Sequence, residues 1–346
     1  MEQVTSLSNK MQNQLVQNEL RNKLGQATVK WMKEITKGSN EALGGYQKDN
    51  TFLQKKMWYG SDLLEACNKC NQNTMVDFLM KGNKLLSGYA PNKYFSTIPD
   101  SVNFTGVRVM HLIAKKDVLP SEALKAAVAG LTICDCGMAC QIARYGALLD
   151  VLEEGKFNRL FGKEHGQSIN LGYNIDDDLQ PMRLFVDFTN AAKNALGGEI
   201  NYRPVEIGQL ILIDGVPTYT EKKPLGNWAS HNVICYNKTS GEQRFGGFGL
   251  KNEGETEAEI NQRLLNEYNR DEEPFKIVSS EVKSTLEKVV PQVAKLKDHK
   301  AAVVRGYAAA SPQDFKIDLI SDLVKMPLHE ISISYVMNHL SNRLHK

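Results

Sequence analysis

Hydrophobic residues in the first quarter of the chain recur at a spacing of three to five residues. Leu7, Met11 and Leu15 begin the pattern, and it continues to about residue 90. Such a spacing places the apolar side chains on one stripe of a helix. We therefore predict several amphipathic helices over residues 1–90, with Gly25 as a break after the first of them.

The middle of the chain mixes two periods. Alternation from Val107 to Ile113 predicts a strand, and Pro120 opens a short helix. A second helix follows Cys136, and we expect Gly155 to end it. Strand-like runs separated by Gly, Pro, Asn and Ser then cover residues 184–188, 209–213, 233–236 and 244–250. These runs predict antiparallel strands.

Helical spacing returns after Thr256. It predicts one helix to about Tyr268 and another over residues 278–296. The pair Ser311-Pro312 is a suitable start for a further helix, and Pro327 separates that helix from the last one. The end of the chain is therefore predicted to be helical.

Length and composition agree with this division. The chain has 346 residues, of which 42% are hydrophobic and 24% charged, an ordinary globular composition. The fold class that we predict is α+β, in which helical extensions flank a core of a helix packed on an antiparallel sheet. The regions are a helical N-terminal part over 1–105, a mixed core over 106–272, which holds the candidate chemistry described below, and a helical C-terminal part over 273–346.

Charge and hydropathy exclude two kinds of partner. Lys and Arg number 42 against 40 Asp and Glu, and no basic tract is present, so we expect no nucleic-acid partner. The apolar runs are too short to cross a membrane. The first 24 residues lack the pattern of a cleaved signal peptide. We expect a soluble cytoplasmic protein, or export without such a peptide, as for a bacterial effector.

The segment from Leu131 to Cys140 holds the strongest candidate for chemistry. A turn of small residues delivers Cys136 at the start of a helix, where unpaired amides and the helix dipole favour thiolate over thiol. Asp135 can cap the same helix. The alternative is that Cys136 is a buried cysteine that packs as a small hydrophobic residue.

A zinc site is a further alternative for the cysteines. Cys134, Cys136 and Cys140 lie close together, and Cys67 and Cys70 form a CxxC pair upstream. Zinc sites usually combine two matching pairs, and the spacing around Cys136 does not supply the second. We therefore predict no metal and no cofactor.

A nucleophilic thiolate needs a partner base, and His231 is the best candidate. It opens the strand-like run to Tyr236, and a preceding strand can lie beside it. A helix that begins with the thiol, then a strand, then a strand with the histidine is the order of papain-like folds. The other histidines lie in alternating, polar, helical or terminal segments.

Several landmarks occur in one order over roughly residues 111–268. They are the basic stretch His111 to Lys116, the helix start Pro120 to Glu122, the pair Asp135-Cys136, the segments Arg144 to Leu148 and Glu154 to Phe161, and the strands Gly208 to Ile211, His231 to Tyr236 and Gly246 to Lys251. With these landmarks the sequence resembles the small bacterial spore-coat protein-glutamine gamma-glutamyltransferases. These are transglutaminases built on a compact papain-like core of the NlpC/P60 type.

The resemblance implies roles for three residues. Cys136 takes the place of the nucleophile, Asp135 that of the neighbouring acidic residue, and His231 that of a glutamate that serves as catalytic partner. The histidine is a departure that moves the pair toward the Cys-His chemistry of papain-like hydrolases and deamidases. The resemblance does not extend to residues 1–110 or 275–346.

The third catalytic member has several candidates. Papain-like enzymes orient the histidine with a polar side chain on the next strand, so Gln243 comes first, followed by Glu242, with Asn232 and Asp214 behind them. Gln243 can equally be a solvated hairpin residue. Trp228 can line a substrate groove or simply pack at the sheet edge.

Three functions remain open from the sequence. The first is acyl transfer from a protein glutamine to a lysine amine or to water, through a thioester on Cys136 with His231 as base. The second is a cysteine protease or isopeptidase with the same pair. The third is a helical interaction protein in which the cysteines pack or bind zinc. The long helical additions favour a protein substrate.

Overall fold

The structure is a computed structural model. It describes residues 2–49, 57–59, 93–102, 108–129, 132–134, 136–162, 168–172, 181–188, 205–222, 228–239, 242–270, 300–301 and 313–344. Predictions for residues 60–92 and 278–296 lie outside the described residues. In the described part of the chain, no helix has both the length and the apolar character needed to cross a membrane.

Helices and strands are interspersed along the described part of the chain. The α-helices are α1 (Glu2–Asp49), α2 (Pro120–Ala129), α3 (Cys136–Phe161), α4 (Tyr219–Lys222), α5 (Glu257–Asn269), α6 (Ile317–Lys325) and α7 (Ile333–Leu344). The strands are β1 (Met57–Tyr59), β2 (Phe95–Val102), β3 (Arg108–Ala114), β4 (Thr132–Cys134), β5 (Asn170–Leu171), β6 (Val186–Phe188), β7 (Leu210–Asp214), β8 (Ser230–Thr239), β9 (Glu242–Gly246), β10 (Glu255–Thr256) and β11 (Gln313–Phe315).

The main sheet has six strands in the order β10-β9-β8-β7-β11-β6. Every neighbouring pair in it is antiparallel. A smaller sheet pairs β2, β3 and β5, and β1 pairs with β4 in parallel. The mixed helix-and-sheet class predicted from the sequence is confirmed. The papain-like topology stays a prediction.

The sequence predicted a purely helical C-terminal region, but the structure also places a strand there. Residues 313–315 form β11, which lies between β7 and β6 in the main sheet. The helix expected from Ser311-Pro312 begins instead at Ile317. The part of the chain after residue 273 therefore completes the sheet of the central region, and Ile317 belongs to the main core cluster.

Helices cover both faces of the main sheet. On one face, Ile234 and Tyr236 of β8 belong to the large core that contains α1 and α3. On the other face, Val233 and Cys235 pack in a second core, which also holds Ile260 of α5. Because successive side chains of a strand point to opposite faces, β8 is apolar on both sides.

The N-terminal prediction of several helices with a break at Gly25 is wrong for residues 2–49. These residues form the single helix α1, and Gly25 lies inside it. A Cβ atom at Gly25 would lie 2.4 Å from the carbonyl oxygen of Ile207. Gly208 beside it has a φ of +81°, a conformation that favours glycine. The glycines thus allow α1 to pack directly on the turn before β7.

Helix α3 is interrupted two residues before Gly155, the glycine that was expected to end it. The helical conformation is interrupted at Glu153, with φ 64° and ψ 160°, and then resumes to Phe161. Gly155 therefore lies within the second helical segment. A hydrogen bond from Ser121 Oγ to Glu154 Oε1, 2.8 Å long, ties this region to α2.

Helices α1 and α3 meet at Gly146, which gives a stability prediction. A Cβ atom at Gly146 would lie 2.1 Å from the Trp31 ring, so we expect Gly146→Ala to lower the free energy of unfolding by about 1–3 kcal/mol through overpacking. Gly155 in the same helix is the matched control. A Cβ atom at Gly155 would lie 3.6 Å from the nearest side chain, that of Leu328, which is an ordinary contact distance. Gly155→Ala should therefore leave the free energy of unfolding unchanged or raise it by up to about 1 kcal/mol.

Chemical denaturation of the two variants and the wild type measures this difference. Equal stability of Gly146→Ala and Gly155→Ala would mean that α1 does not pack on α3 at this point.

Candidate functional site

Cys136 is the first residue of α3, as the sequence predicted. Strand β4 ends at Cys134 just before it, and Asp135 between them lies outside the described residues. Cys134, Cys136, Cys140 and Cys235 are not in disulfides. Cys136 is buried, with 8% of the residue exposed, whereas Cys134 and Cys140 are fully buried. Of these three neighbouring cysteines, Cys136 is therefore the one that keeps some exposed surface.

Two N–H groups of one residue face the Cys136 sulfur. The backbone amide of Asn232 lies 3.5 Å from Sγ and the side-chain Nδ2 lies 3.4 Å from it. Both groups donate, so the sulfur accepts two hydrogen bonds from β8. Donors directed at a sulfur favour its thiolate form, in the same sense as the amides and dipole at the start of the helical segment that runs from Cys136 to the interruption at Glu153.

The strand geometry explains why Asn232 occupies this place. Alternate amides of a strand point to opposite neighbouring strands. The Cys235 amide donates to Gln209 O on the β7 side, so the Asn232 amide points to the β9 side. Strand β9 pairs with β8 from Thr239 only as far as Ile234, opposite Gly246. The Asn232 amide is therefore beyond the end of β9, and the Cys136 sulfur takes the position of a ladder acceptor.

His231 points to the opposite face of the sheet. It is fully buried, and its ring stacks on Trp228 with the centroids 5.2 Å apart. Its Nε2 lies 2.8 Å from Phe248 O. A carbonyl oxygen only accepts, so Nε2 carries the proton and Nδ1 is the basic nitrogen. Nδ1 is buried and has no hydrogen-bond partner among the described residues.

The prediction that His231 serves as the base of Cys136 is not supported by this geometry. Neither ring nitrogen hydrogen-bonds to the sulfur, because His231 and Asn232 are neighbours in a strand and their side chains alternate. Burial, the main cause, lowers the pKa of His231 from 6.5 to about 4. The imidazole is therefore neutral at pH 7 and acts as a packing residue, with Trp228 as its stacking partner.

The other candidates for a third catalytic residue are also placed. Gln243 donates from Nε2 to Val205 O at 2.8 Å, which ties β9 to the segment before β7 and leaves Gln243 without a contact to the His231 ring nitrogens. Glu242 is exposed and lies 3.9 Å from Arg244. The side chain of Asp214 lies outside the described residues. Asn232, one of the weaker sequence candidates, is the residue that contacts the thiol.

The zinc alternative gains no support from the described part of the chain. No group of three or more His, Cys, Asp or Glu side chains there is arranged to hold a metal ion. Cys67 and Cys70 lie outside the described residues.

Comparisons with known proteins give a similarity in structure but none in sequence. No protein-family model matches the chain. No curated protein matches it. Among solved structures, the chain is similar to the transglutaminase from Geobacillus stearothermophilus without its C-terminal extension, with 15% identity and a TM-score of 0.48 over 90% of this chain and 99% of that chain. The acyl-transfer chemistry and the papain-like core stay predictions from the sequence.

Proposed function

We propose that this protein is a thiol acyltransferase that acts on glutamine side chains of proteins, with Cys136 as the nucleophile. The observation that carries the proposal is the environment of the sulfur. It lies at the first residue of a long helix, keeps some exposure, and accepts two N–H groups of Asn232. A cysteine that only packs has no need of donors directed at its sulfur.

The reaction has two acyl-transfer steps. The Cys136 sulfur attacks the side-chain amide carbon of glutamine, the carbon–sulfur bond forms, and the carbon–nitrogen bond breaks. The thiol proton leaves with the nitrogen as ammonia. In the second step an amine attacks the thioester, the carbon–sulfur bond breaks, and the proton lost by the amine restores the thiol. Water in place of the amine gives glutamate.

The choice of acyl transfer rests on two kinds of support. The resemblance of residues 111–268 to the spore-coat glutamyltransferases points to glutamine as the acyl donor and to a lysine amine as one acceptor. The net charge of the full sequence is only +2, which gives no general attraction to a polyanion. A protein side chain is the substrate class that the resemblance implies and that we favour.

A cysteine protease or isopeptidase is the second candidate. Its support was the expected pair of Cys136 with His231, since proteolysis by papain-like enzymes uses an imidazole to protonate the leaving amine. His231 is buried on the other face of the sheet and donates to Phe248 O. This feature therefore no longer favours proteolysis over transfer, and proteolysis becomes an outcome of the test.

The test is an incubation of the protein with a glutamine-rich substrate protein as acyl donor and a fluorescent primary amine as acceptor. We expect fluorescence to enter the substrate protein and ammonia to be released in at least equal amount. Mass spectrometry then separates the outcomes. Amide-linked label supports acyl transfer, conversion of glutamine to glutamate without label indicates deamidation, and new chain termini would replace the proposal with proteolysis. A substrate protein left unmodified under all conditions would contradict all three.

A further inference from the structure

Asn232 lies where a catalytic partner of Cys136 was expected, although it is neither an acid nor a base. We propose that Asn232 is a catalytic residue of the site, a two-donor clamp that holds the Cys136 sulfur as a thiolate and then stabilises the oxyanion formed on the acyl group. This inference rests on the proposed function for its second half. Its first half, the clamp on the sulfur, concerns the protein alone.

The two donor groups of Asn232 differ in conformational freedom. The backbone amide is fixed by β8, which pairs with β7 at Leu212 directly opposite Asn232. The Nδ2 group lies on a side chain with two rotatable bonds. Both contact Sγ, at 3.5 and 3.4 Å. The geometry thus provides one rigid and one mobile donor for the same sulfur.

Neighbouring segments fix the position of the clamp. A Cβ atom at Gly247 would lie 3.2 Å from Asn232 O and 3.3 Å from His231 Nε2, so the chain passes close to β8 at a glycine. Phe248 O, one residue on, accepts from His231 Nε2. From helix α1, Thr36 Oγ1 lies 3.4 Å from Gly247 O. The buried imidazole is therefore part of the frame that holds Asn232.

The two donors act at different stages of the reaction. Hydrogen bonds to a charged group favour the charged form, so both donors favour the thiolate before attack. When the sulfur attacks, negative charge moves to the acyl oxygen, which then lies next to the sulfur. The Nδ2 group can turn to that oxygen, while the backbone amide keeps its place. A donor directed at the developing charge is worth most in the transition state.

The titratable groups on the elements beside the sulfur include two further cysteines and an arginine. Cys134 ends β4, Cys140 lies one helical turn along α3, and Arg144, which is buried and interacts electrostatically with Cys140, lies one turn further. Tyr236 lies on the same face of β8 as Asn232. Burial raises the pKa of Tyr236, so its phenol is neutral at pH 7. Lys33 of α1 lies over the Tyr236 ring at 5.4 Å. Asp135 lies outside the described residues.

The test uses Asn232→Asp and Asn232→Ala in the full chain. Asparagine and aspartate have the same shape, so Asn232→Asp changes a donor into a charged acceptor without a change in packing. Asn237 lies on the same strand beyond the bulge in its pairing with β9, and Asn237→Asp is the matched control. The rate of Cys136 alkylation by iodoacetamide, measured by mass spectrometry across a range of pH, reports the ionisation of the thiol. The rate of amine incorporation reports the turnover of the acyl-transfer reaction.

We expect the midpoint of the alkylation profile to rise by about one pH unit in Asn232→Ala and by about two in Asn232→Asp, which slows alkylation about fivefold and about fiftyfold at the wild-type midpoint. At high pH the thiol is fully ionised in every variant, so a difference in the plateau rate reports the access of iodoacetamide to the sulfur and not its ionisation. Turnover should fall by about a hundredfold in Asn232→Ala, the usual effect of losing one oxyanion donor. Asn237→Asp should leave the midpoint and the turnover unchanged.

The outcomes separate this inference from the proposed function. Unchanged alkylation midpoints in both Asn232 variants overturn the clamp, even if the wild type incorporates amines. Shifted midpoints without any amine incorporation by the wild type support the clamp and overturn the proposed function. Equal shifts in Asn237→Asp would show a general effect of negative charge on β8 and would also overturn the clamp. Circular dichroism confirms that each variant is folded.

Discussion

Replacing Cys136 with alanine is expected to abolish amine incorporation into a glutamine-rich substrate protein, with a loss of at least about a thousandfold in turnover. The physical reason is that the thioester has no other atom on which to form. Cys136 is a buried core residue with a small side chain, so we expect removal of its sulfur to cost some stability but to leave the fold intact. The measurement is the initial rate of fluorescent-amine incorporation, with the thermal unfolding midpoint recorded beside it.

Cys235→Ala is the matched control for this prediction. Cys235 lies on the same strand as Asn232 but belongs to the core on the other face of the sheet. Its thiol lies 3.6 Å from Asn237 O and is fully buried. We expect Cys235→Ala to keep most of the activity at a modest loss of stability. Activity that survives in Cys136→Ala but not in Cys235→Ala would contradict the assignment of Cys136 and would place the nucleophile on the opposite face of the sheet.

The local part of the site could be predicted from the sequence. A turn of small residues before an apolar helical pattern predicts a helix that begins near Cys136, and the structure confirms that start. The strand from His231 to Tyr236 was also predicted, and it forms part of β8. These are local features, set by the spacing of neighbouring residues.

The pairing of the two segments could not be predicted in the same way. A strand with one buried face shows alternation of apolar and polar residues, and the alternation tells which side chains share a face. In β8 the odd positions Val233 and Cys235 and the even positions Ile234 and Tyr236 are all buried. The pattern is therefore silent on which face meets α3. The chemistry of imidazole favoured His231, and the register of the sheet favoured Asn232.

Two features of the fold were hidden for a related reason. Gly25 is unfavourable in a helix interior by intrinsic propensity, so it was predicted as a break, but the close approach of α1 to Ile207 requires a residue without a side chain. Strand β11 has only three residues, too few to show a period. Contacts between residues far apart in the chain decide both cases, and local patterns do not contain them.

Acidification from pH 7.5 to 5 is expected to destabilise the protein through His231. Burial lowers the folded-state pKa from 6.5 to about 4, so the unfolded chain binds a proton in this range that the folded protein does not. The stabilising contribution is complete above pH 6.5 and is lost as the pH falls toward 4, at about 1.4 kcal/mol per pH unit, or on the order of 3 kcal/mol over the whole window.

His231→Gln isolates this contribution, because glutamine can still donate to Phe248 O but does not titrate. The free energies of unfolding of both proteins, measured in urea at pH 7.5, 6 and 5, should differ in slope by the amount given. The pKa of Glu259 is lowered to about 2 by its hydrogen bonds to Lys251 and the Thr256 amide, so its stabilising contribution is present above pH 4.5, is lost only below that pH, and is common to both proteins. A histidine paired with a thiolate would have a raised pKa, and its contribution would be lost with increasing pH. A slope of that opposite sign would restore His231 as the partner of Cys136, and the measurement therefore decides between the two assignments without any assay of activity.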